Sequence, residues 1–393
     1  MKILQLLPRF PWPLKDGGAI GYYNFTQAYI DAGHELTIAA LNTNKHYINY
    51  NDIPEQLCNK ATIHLVDINT DINKKDALLN LFTTQSYNIQ RFVSKQYEQL
   101  VVDLCTNTTY DLIVFESIFV APYLTAIRAV TPAKCVLRQH NVEFKIWETL
   151  ADNTSWGAKK MYLKLLANRL CTFEIKACNS FDTVFPITPT DYETLVTCGV
   201  TTPMHIVPFG INTKKMPSYK APQGITFFHL GSMDWQPNQL AVQWFIDNVW
   251  IPLAPQYPEA TFTIAGRHMP PYFMQYHNTY NIQVVGEVSN AIEFMQSHAV
   301  QVVPLFAGSG IRVKIIEAMA LGKCIVATPL GAQGINYTLD ENICIADDTA
   351  DFLKEIVTLI ENPERIITIG KSAQVIAQTE YNIDVLAQKI IDN

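Results

Sequence analysis

Short, largely apolar runs alternate with longer stretches of helical spacing along most of the chain. The apolar runs lie at 3–7, 34–40, 111–116, 133–139, 225–230, 260–266, 300–305 and 324–328. Runs of this length are typical of parallel strands that are buried between layers of helices. The stretches 159–181 and 351–361 instead place their apolar residues on one face of a helix. This alternation predicts an α/β fold built from strand–helix–strand units.

The clearest unit begins with the apolar run 300–305. The glycine-containing segment 308–310 predicts a sharp turn after it, and Ser309 is suited to cap the following helix. We expect that helix over 311–321, where Gly322 can end it in the left-handed conformation. The next apolar run then completes one βαβ unit of a parallel sheet.

The start of this helix carries candidate chemistry. A helix N-terminus flanked by glycines presents free backbone N–H groups and a partial positive charge, which suit an anionic or hydroxyl-rich ligand. Arg312 and Lys314 stand in the first turn, where cations are unfavourable with respect to the helix dipole, so a bound anion would offset that effect. The alternative is a surface ion pair, because Lys314 and Glu317 are three residues apart on one helix face.

His140 is a second candidate, because it follows the predicted strand 133–139. Open α/β sheets bind ligands at the carboxyl ends of their strands. A purely structural histidine is the alternative. Earlier in the chain, Gly17 and Gly18 form a glycine loop before a helix predicted over 22–32. These glycines are needed either for the geometry of the turn or to let a ligand approach the backbone closely. The G-x-G-x-x-G fingerprint is missing, which disfavours a dinucleotide-dependent dehydrogenase.

Composition narrows the class of protein. The chain has 393 residues, 48% of them hydrophobic, which suggests two domains with sizeable cores. A net charge of −7 disfavours a nucleic-acid partner. The eight cysteines show no C-x-x-C pair, so we expect free thiols in a reducing cytoplasm. We expect neither a signal peptide nor a membrane span, and a peripheral contact at the inner face of the membrane is compatible with this composition.

One segment resembles a known family. Glu317-Ala-Met-Ala-Leu-Gly-Lys323, followed by an apolar strand, resembles the donor-site helix of retaining GT-B glycosyltransferases of family four, the glycosyl transferases of group 1. That family usually has two glutamates separated by seven residues. Glu317 matches the second, and the resemblance implies that it holds the donor ribose. The first position is Ser309, so the usual carboxylate for the sugar hydroxyls is missing.

The resemblance implies a GT-B fold of two Rossmann-like domains facing each other across a cleft. Residues 1–205 would form the acceptor-side domain, with a C-terminal helix at about 380–393 packing back onto it. Residues 206–379 would bind the nucleotide sugar. The polar composition of 214–224 predicts a linker between the domains. His140 matches the family's active-site histidine. The implied donor-binding residues are Gly17, Gly18, Gly231, Ser232, Arg267, Val288, Ser309, Gly310 and Ile311.

The implied reaction moves a sugar from a nucleoside diphosphate sugar to a hydroxyl of an oligosaccharide or lipid-linked acceptor, in the synthesis of cell-surface polysaccharide or glycoconjugate. His140, Glu317, Arg312 and Lys314 would carry it. Relatives place cations near positions that Met233 and Asn238 occupy here, so Arg312 and Lys314 are the expected substitutes. We expect no cofactor and no metal, because no Asp-x-Asp or His/Cys cluster has ligand spacing. The alternatives are a nucleotide-sugar epimerase of GT-B fold and a non-catalytic nucleotide-sugar-binding protein.

Overall fold

The computed structural model describes residues 1–14, 16–221, 224–308 and 310–393. The chain divides into two compact units. The first comprises Met1–Gly210 and Leu386–Asn393, and the second comprises Ile211–Val385. Across the described ranges, no helix is both long enough and apolar enough to cross a bilayer.

The first unit is built on a parallel sheet. Its strands are β1 (Lys2–Leu7), β2 (Glu35–Thr43), β3 (Ala61–Ile68), β4 (Leu112–Phe115), β5 (Lys134–Gln139) and β6 (Thr183–Pro186). In the part of the chain that the structure describes, these six strands pair in the order β3-β2-β1-β4-β5-β6. All pairs are parallel; Gln5 of β1, for example, lies opposite Val114 of β4. The order reverses between β1 and β4, which is the switch point where such sheets bind ligands.

Helices cover both faces of this sheet, as the βαβ connections require. They are α1 (Gly17–Asp31), α2 (Glu55–Cys58), α3 (Lys74–Asn80), α4 (Tyr87–Gln90), α5 (Lys95–Asn107), α6 (Leu124–Arg128), α7 (Glu143–Asp152), α8 (Ala158–Cys178) and α9 (Pro189–Thr197). Short 3-10 turns occur at Asn44–His46, Tyr50–Asp52 and Ile118–Tyr123. The core lies between these helices and the strands, and β4 is completely buried, as its apolar run predicts.

The second unit repeats this plan. Its strands are β7 (Thr226–Leu230), β8 (Thr261–Ala265), β9 (Ile282–Gly286), β10 (Val300–Val303), β11 (Cys324–Ala327) and β12 (Cys344–Ile345). Among the described residues they form a six-stranded parallel sheet in the order β12-β11-β10-β7-β8-β9. The switch point lies between β7 and β10. The predicted α/β fold with two Rossmann-like parallel sheets is therefore confirmed.

The helices of the second unit are α10 (Gln236–Phe245), α11 (Ile251–Leu253), α12 (Ala291–Gln296), α13 (Val313–Ala320), α14 (Thr349–Glu361), α15 (Pro363–Glu380) and α16 (Ile383–Asp392). A π-helical turn, Ile246–Trp250, joins α10 to α11. The end of α16 belongs to the first unit, where Lys389 Nζ donates to the Ile206 carbonyl at 2.9 Å. Gly322 ends α13 with φ +68°, as predicted.

Two predicted boundaries are wrong. The sequence predicts a loop at the glycine pair, but α1 begins at Gly17, because Asp16 caps the helix by accepting from the Ala19 N–H at 3.0 Å. Apolar spacing predicts helix α13 from 311 with a cap at Ser309, but the helix begins at Val313 and its N-cap residue is Arg312, so the predicted cap is wrong. The start of α1 follows from the Asp16 cap, and apolar spacing encodes neither this boundary nor that of α13.

Candidate active site

Buried polar side chains join the strands at the switch point of the first unit. Gln5 on β1 donates from Nε2 to Glu116 Oε1 at 2.8 Å, and Glu116 directly follows β4. Arg138 on β5 donates from Nη1 to Glu116 Oε2 at 2.7 Å. The side chains of Glu116 and Arg138 are 0% and 1% exposed. An ion pair this deep is stable only when its remaining hydrogen-bonding capacity is also met. Gln5 supplies part of it and in turn accepts from Thr26 at 2.8 Å.

His140 stands at the edge of this network. Its Nε2 lies 3.1 Å from Glu116 Oε2, and the edge of its ring meets Tyr22 at a centroid distance of 4.7 Å. Because a carboxylate can only accept, we assign the proton to Nε2, which leaves Nδ1 as an acceptor. Burial and the nearby Arg138 lower the pKa of His140 more than Glu116 raises it. The imidazole is therefore neutral near pH 7 and can accept a hydrogen bond from a hydroxyl.

Glu116 stays ionised beneath this histidine. Burial favours the neutral acid, but the charge of Arg138 and the hydrogen bonds from His140 and Gln5 outweigh it and hold the pKa of Glu116 below its usual value. The Arg138 guanidinium also lies over the ring of Phe25, with Cζ 3.5 Å from the centroid. The network therefore fixes both the orientation and the tautomer of His140.

A second buried glutamate holds the segment after His140. Glu174 on α8 accepts from the backbone N–H groups of Glu143 and Phe144 at 2.9 and 3.0 Å, at the start of α7. It also accepts from Gln139, the residue before His140. Burial raises the pKa of Glu174 to about 8. Both sides of His140 are thus anchored to α8.

The glycine pair lies beside a surface ion pair. Arg9 and Asp16 pair directly, and burial of Asp16 is outweighed by hydrogen bonds from Arg9 and Ala19, which lower its pKa to about 2. A Cβ on Gly18 would come within 2.6 Å of Arg9 Nη2. Because that atom is the far end of a flexible side chain, it could move aside for a Cβ, so the contact does not by itself require glycine at 18. The predicted ligand role of Gly17 and Gly18 stays a prediction.

In the second unit, the loops after β7 and β8 run side by side. The Gly231 N–H donates to the Ala265 carbonyl at 3.2 Å, and the Met233 N–H donates to the Arg267 carbonyl at 2.9 Å. A Cβ on Gly266 would lie 1.8 Å from the Gly231 carbonyl oxygen. Glycine at 266 is therefore required for this close approach.

The paired loops bring Ser232 and Arg267 together. Arg267 Nε donates to Ser232 Oγ at 2.9 Å, and that hydroxyl donates to Asp234. Both predicted donor residues thus lie in one cluster at the carboxyl ends of adjacent strands. Met233 is fully buried, and Asn238 is largely buried with its Nδ2 donating to the Ser232 carbonyl at 2.9 Å. Neither occupies a position from which it could contact a phosphate in solvent.

Trp235 connects this cluster to the loop after β10. The Arg312 guanidinium lies over its ring with Cζ 5.5 Å from the centroid, and Arg312 Nη1 donates to the Gly310 carbonyl at 2.6 Å. A Cβ on Gly308 would lie 2.5 Å from Trp235. The loops after β7, β8 and β10 therefore meet at the switch point and bring Arg267 and Arg312 to the same sheet edge.

Helix α13 carries the remaining candidates. Lys314 Nζ lies 2.6 Å from Glu317 Oε2, with the two side chains 40% and 14% exposed, so the alternative ion pair predicted from spacing is formed. Gly310, with φ +83°, and half-buried Ile311 lead into the helix. Ser309 lies outside the described residues. Val288 follows the edge strand β9, next to β8.

Sequence reasoning missed the network beneath His140. Glu116 and Arg138 received no role, although each interrupts or ends an otherwise apolar strand. A charged residue in a strand that is buried on both faces needs a buried partner. The sequence therefore showed that each charged residue needed a buried partner, but it did not show that Glu116 and Arg138, 22 positions apart, are partners of each other.

One further cluster contains side chains of the types that bind metal ions. Asp340, Cys344 and Glu355 bring their ligand atoms within 4.8 Å of one another. Arg365 Nη2, however, lies 2.9 Å from Asp340 and 3.2 Å from Glu355. The guanidinium already pairs with both carboxylates, which disfavours a metal cation between them.

A family model described as "Glycosyl transferases group 1" matches residues 224–362, which include the loops after β7, β8 and β10. A Klebsiella pneumoniae protein described as "Uncharacterized 44.6 kDa protein in cps region" is 23% identical over 290 residues, covering 70% of this chain and 72% of that one.

Similar solved structures extend over the whole chain. Anabaena HepE in complex with UDP has a TM-score of 0.66 at 15% identity, covering 100% of this chain and 99% of that one. Sucrose-phosphate synthase from Thermosynechococcus elongatus has a TM-score of 0.66 at 14% identity, covering 99% and 97%. The resemblance to group 1 glycosyltransferases that the sequence predicted is confirmed. Residues 224–362 thus match the glycosyl transferases group 1 model, and the whole chain has the two-domain GT-B fold of the similar structures.

Proposed function

We propose that the chain transfers a sugar from a nucleoside diphosphate sugar to a hydroxyl of a saccharide acceptor, with retention of the anomeric configuration and without a metal ion. The observation that carries the proposal is the meeting of Arg267 and Arg312 at the switch point of the second unit, inside the segment that matches the family. Cations at a glycine-rich strand-end edge suit a diphosphate.

In this proposal, charge grows on the departing diphosphate as the glycosidic bond to it breaks. Arg312, Lys314 and the backbone near Gly310 stabilise that charge, because donors already fixed in place need little reorganisation. Arg267 is the second phosphate contact. Glu317 remains the proposed partner of the donor ribose, and Lys314 holds its carboxylate in place at 2.6 Å.

His140 is proposed to act on the sugar that is transferred. Its neutral ring offers Nδ1 as an acceptor for a sugar hydroxyl, because Glu116 holds the Nε2–H. We assign no enzymic base, since the leaving phosphate can accept the acceptor's proton. His140 is therefore a positioning group for the donor, and its expected effect is on turnover.

The comparisons suggest where to begin with substrates. HepE is described in complex with UDP and with UDP-glucose, so a UDP-sugar is the first donor to test. Val288 and the end of β9 are proposed to meet the base through backbone groups. The relative in the cps region supports a role in polysaccharide synthesis. Eight free cysteines, several of them buried, support a cytoplasmic location.

The first experiment is a thermal-shift screen of UDP-, GDP- and dTDP-sugars, since a ligand of the native state raises the melting temperature. The best donor is then incubated with saccharide acceptors, and the anomeric configuration of the product is read by NMR. Transfer with retention supports the proposal. Conversion of the donor without an acceptor indicates an epimerase, and binding without conversion indicates a non-catalytic binding protein. An inverted product would contradict the mechanism.

Metal independence is tested separately. Transfer should continue in EDTA, because arginine side chains and helix N–H groups meet the diphosphate charge. Activity that EDTA abolishes and manganese restores would contradict this part of the proposal.

A further inference from the structure

The most exposed apolar side chains of the molecule are concentrated in the first unit. Among the large apolar residues of the described chain, the five with the greatest exposure are Phe82 (86%), Trp156 (85%), Met161 (67%), Leu79 (66%) and Ile72 (65%). All five lie in two segments, 72–82 and 156–164, which we call the apolar–basic face. Exposed apolar side chains that occur singly need no explanation, but a concentration of them marks an interaction surface.

The two segments are neighbours. Arg169 on α8 donates from Nη1 to the backbone carbonyl and the side-chain oxygen of Asn80, at 2.8 and 3.0 Å. Its Nη2 donates to the Leu81 carbonyl at 3.1 Å. Segment 72–82 is therefore fastened to the same helix whose first turns form the second segment.

The exposed apolar side chains of segment 72–82 are carried by a backbone that hydrogen bonds hold in place. Asn80 is 3% exposed, and Tyr87 exchanges hydrogen bonds with the backbone N–H and carbonyl of Asn73 at 3.0 and 3.1 Å. The backbone is thus fixed at both ends of α3, while Leu78 and Leu79 point into solvent at 60% and 66% exposure. Holding apolar side chains in water is unfavourable, so a fixed arrangement of this kind favours an apolar partner.

Charge identifies the kind of partner. Together with Asp152, which pairs with Lys164 at 3.7 Å, the two segments carry five lysines and two aspartates, a net charge of +3, in a chain whose net charge is −7. The lysines are Lys74, Lys75, Lys159, Lys160 and Lys164. Lys160 lies 5.5 Å from the centroid of the Trp156 ring, so cation and aromatic ring are side by side. Lysines around exposed Trp, Phe and Leu match a surface that is anionic outside and apolar beneath.

We propose that the apolar–basic face docks the protein onto a lipid bilayer that contains anionic headgroups. Phe82, Trp156 and the neighbouring leucines enter the boundary between headgroups and acyl chains, and the lysines contact the headgroups. The docking needs neither the donor site nor the transfer reaction, so it can be tested without either.

The test is co-sedimentation of the full chain with vesicles of phosphatidylcholine alone and of phosphatidylcholine mixed with phosphatidylglycerol. The protein should bind the mixed vesicles, bind neutral ones far less, and dissociate as salt rises. Phe82→Ser with Trp156→Ser should weaken binding at least about tenfold, since buried apolar area drives insertion. Lys159→Gln with Lys160→Gln should weaken it by about fivefold per lysine. The matched control is Leu240→Ser with Met274→Ser, two exposed apolar residues of the second unit, which should change nothing.

Quenching of tryptophan by brominated lipids provides an independent measurement. Wild-type fluorescence should fall on binding, and Trp156→Phe should lose most of that quenching while it still sediments with the vesicles. Failure of the wild type to bind mixed vesicles would overturn the proposal. A dimer in light scattering that the Phe82/Trp156 variant dissociates, without vesicle binding, would overturn it in favour of a second copy of the chain.

Discussion

The two units have the same sheet topology but use their switch points in opposite ways. Between β1 and β4, the first unit places a buried ion pair, Glu116 with Arg138, and only His140 reaches partial exposure. Between β7 and β10, the second unit places close-packed glycine turns and half-exposed arginines, with Arg312 held against the Gly310 carbonyl and the Trp235 ring. Charge is neutralised internally in the first case and presented from loops in the second.

This difference separates two roles for charged residues. A buried pair mainly determines whether the unit folds and how His140 is oriented, because removing one partner leaves an uncompensated charge in the core. A half-exposed cation on a loop contributes little to folding but can gain a strong contact with an anion. Removing a member of the buried pair should therefore appear in stability, and removing a loop cation should appear in ligand affinity.

The largest effect is expected at Glu116. Glu116→Ala should lower the free energy of unfolding by about 3–5 kcal/mol, because Arg138 then remains buried without its carboxylate. Denaturant unfolding measures this. The control is Glu35→Ala, which removes the exposed partner of Lys2 at 3.6 Å and should change stability by less than about 1 kcal/mol. A loss of similar size in both variants would show that the buried pair stabilises the unit no more than an exposed pair does.

The pH dependence of stability tests the buried histidine on β7 of the second unit. His229 lies on β7, and its buried side chain places Nδ1 2.9 Å from the Val302 carbonyl oxygen. Burial lowers the pKa of His229 from 6.5 to about 4. The unfolded chain therefore binds a proton that the folded chain does not between pH 6.5 and 4. Stability should fall by about 3 kcal/mol as pH falls through this window, in addition to the contributions of other groups.

His229→Asn should remove that part of the slope, whereas His268→Asn, at an exposed loop position, should keep it. Urea unfolding at a series of pH values measures both. An unchanged slope in His229→Asn would show that this histidine does not control acid stability.

His140 is predicted to link the first switch point to catalysis. His140→Ala should lower kcat by about a hundredfold if its ring orients the donor sugar, with little change in melting temperature. His64→Ala, at a half-buried histidine of the same sheet, should leave kcat unchanged. A large loss of stability with unchanged turnover per folded molecule would make His140 a structural residue only.

The smallest of these effects is expected at Arg312. Arg312→Ala should weaken binding of a nucleoside diphosphate about tenfold to a hundredfold, because a charge-assisted contact contributes about 1.5–3 kcal/mol. Lys314→Ala should act in the same direction. Calorimetric titration with the nucleoside, which lacks phosphates, should show a much smaller loss. Arg312→Lys should recover only part of the affinity if the contact is bidentate.

Lys371→Ala, which removes another cation near an aromatic ring in the same unit, is the matched control and should bind normally. Equal, small losses for nucleoside and nucleoside diphosphate in Arg312→Ala would move the phosphate contact elsewhere, most directly to Arg267.

The sequence by itself determined the order of elements and the class of fold. Apolar runs such as 300–303 and 324–327 are buried parallel strands because apolar residues on both faces leave them no stable position at a surface. The segment at Glu317 indicated the family because helix and turn motifs depend on residues that are close together in the sequence. The Lys314–Glu317 pair followed directly from helical geometry.

Only the tertiary structure decided which distant residues share a site. Gln5 and Glu116 are separated by 111 positions, Arg138 lies further along the chain, and only the pairing of β1, β4 and β5 brings the three together. Gly231 and Gly266 likewise acquire their role from two loops that touch. The exposure of Phe82 and Trp156 also depends on packing, because an apolar residue in the sequence predicts burial until the folded chain leaves it nothing to pack against.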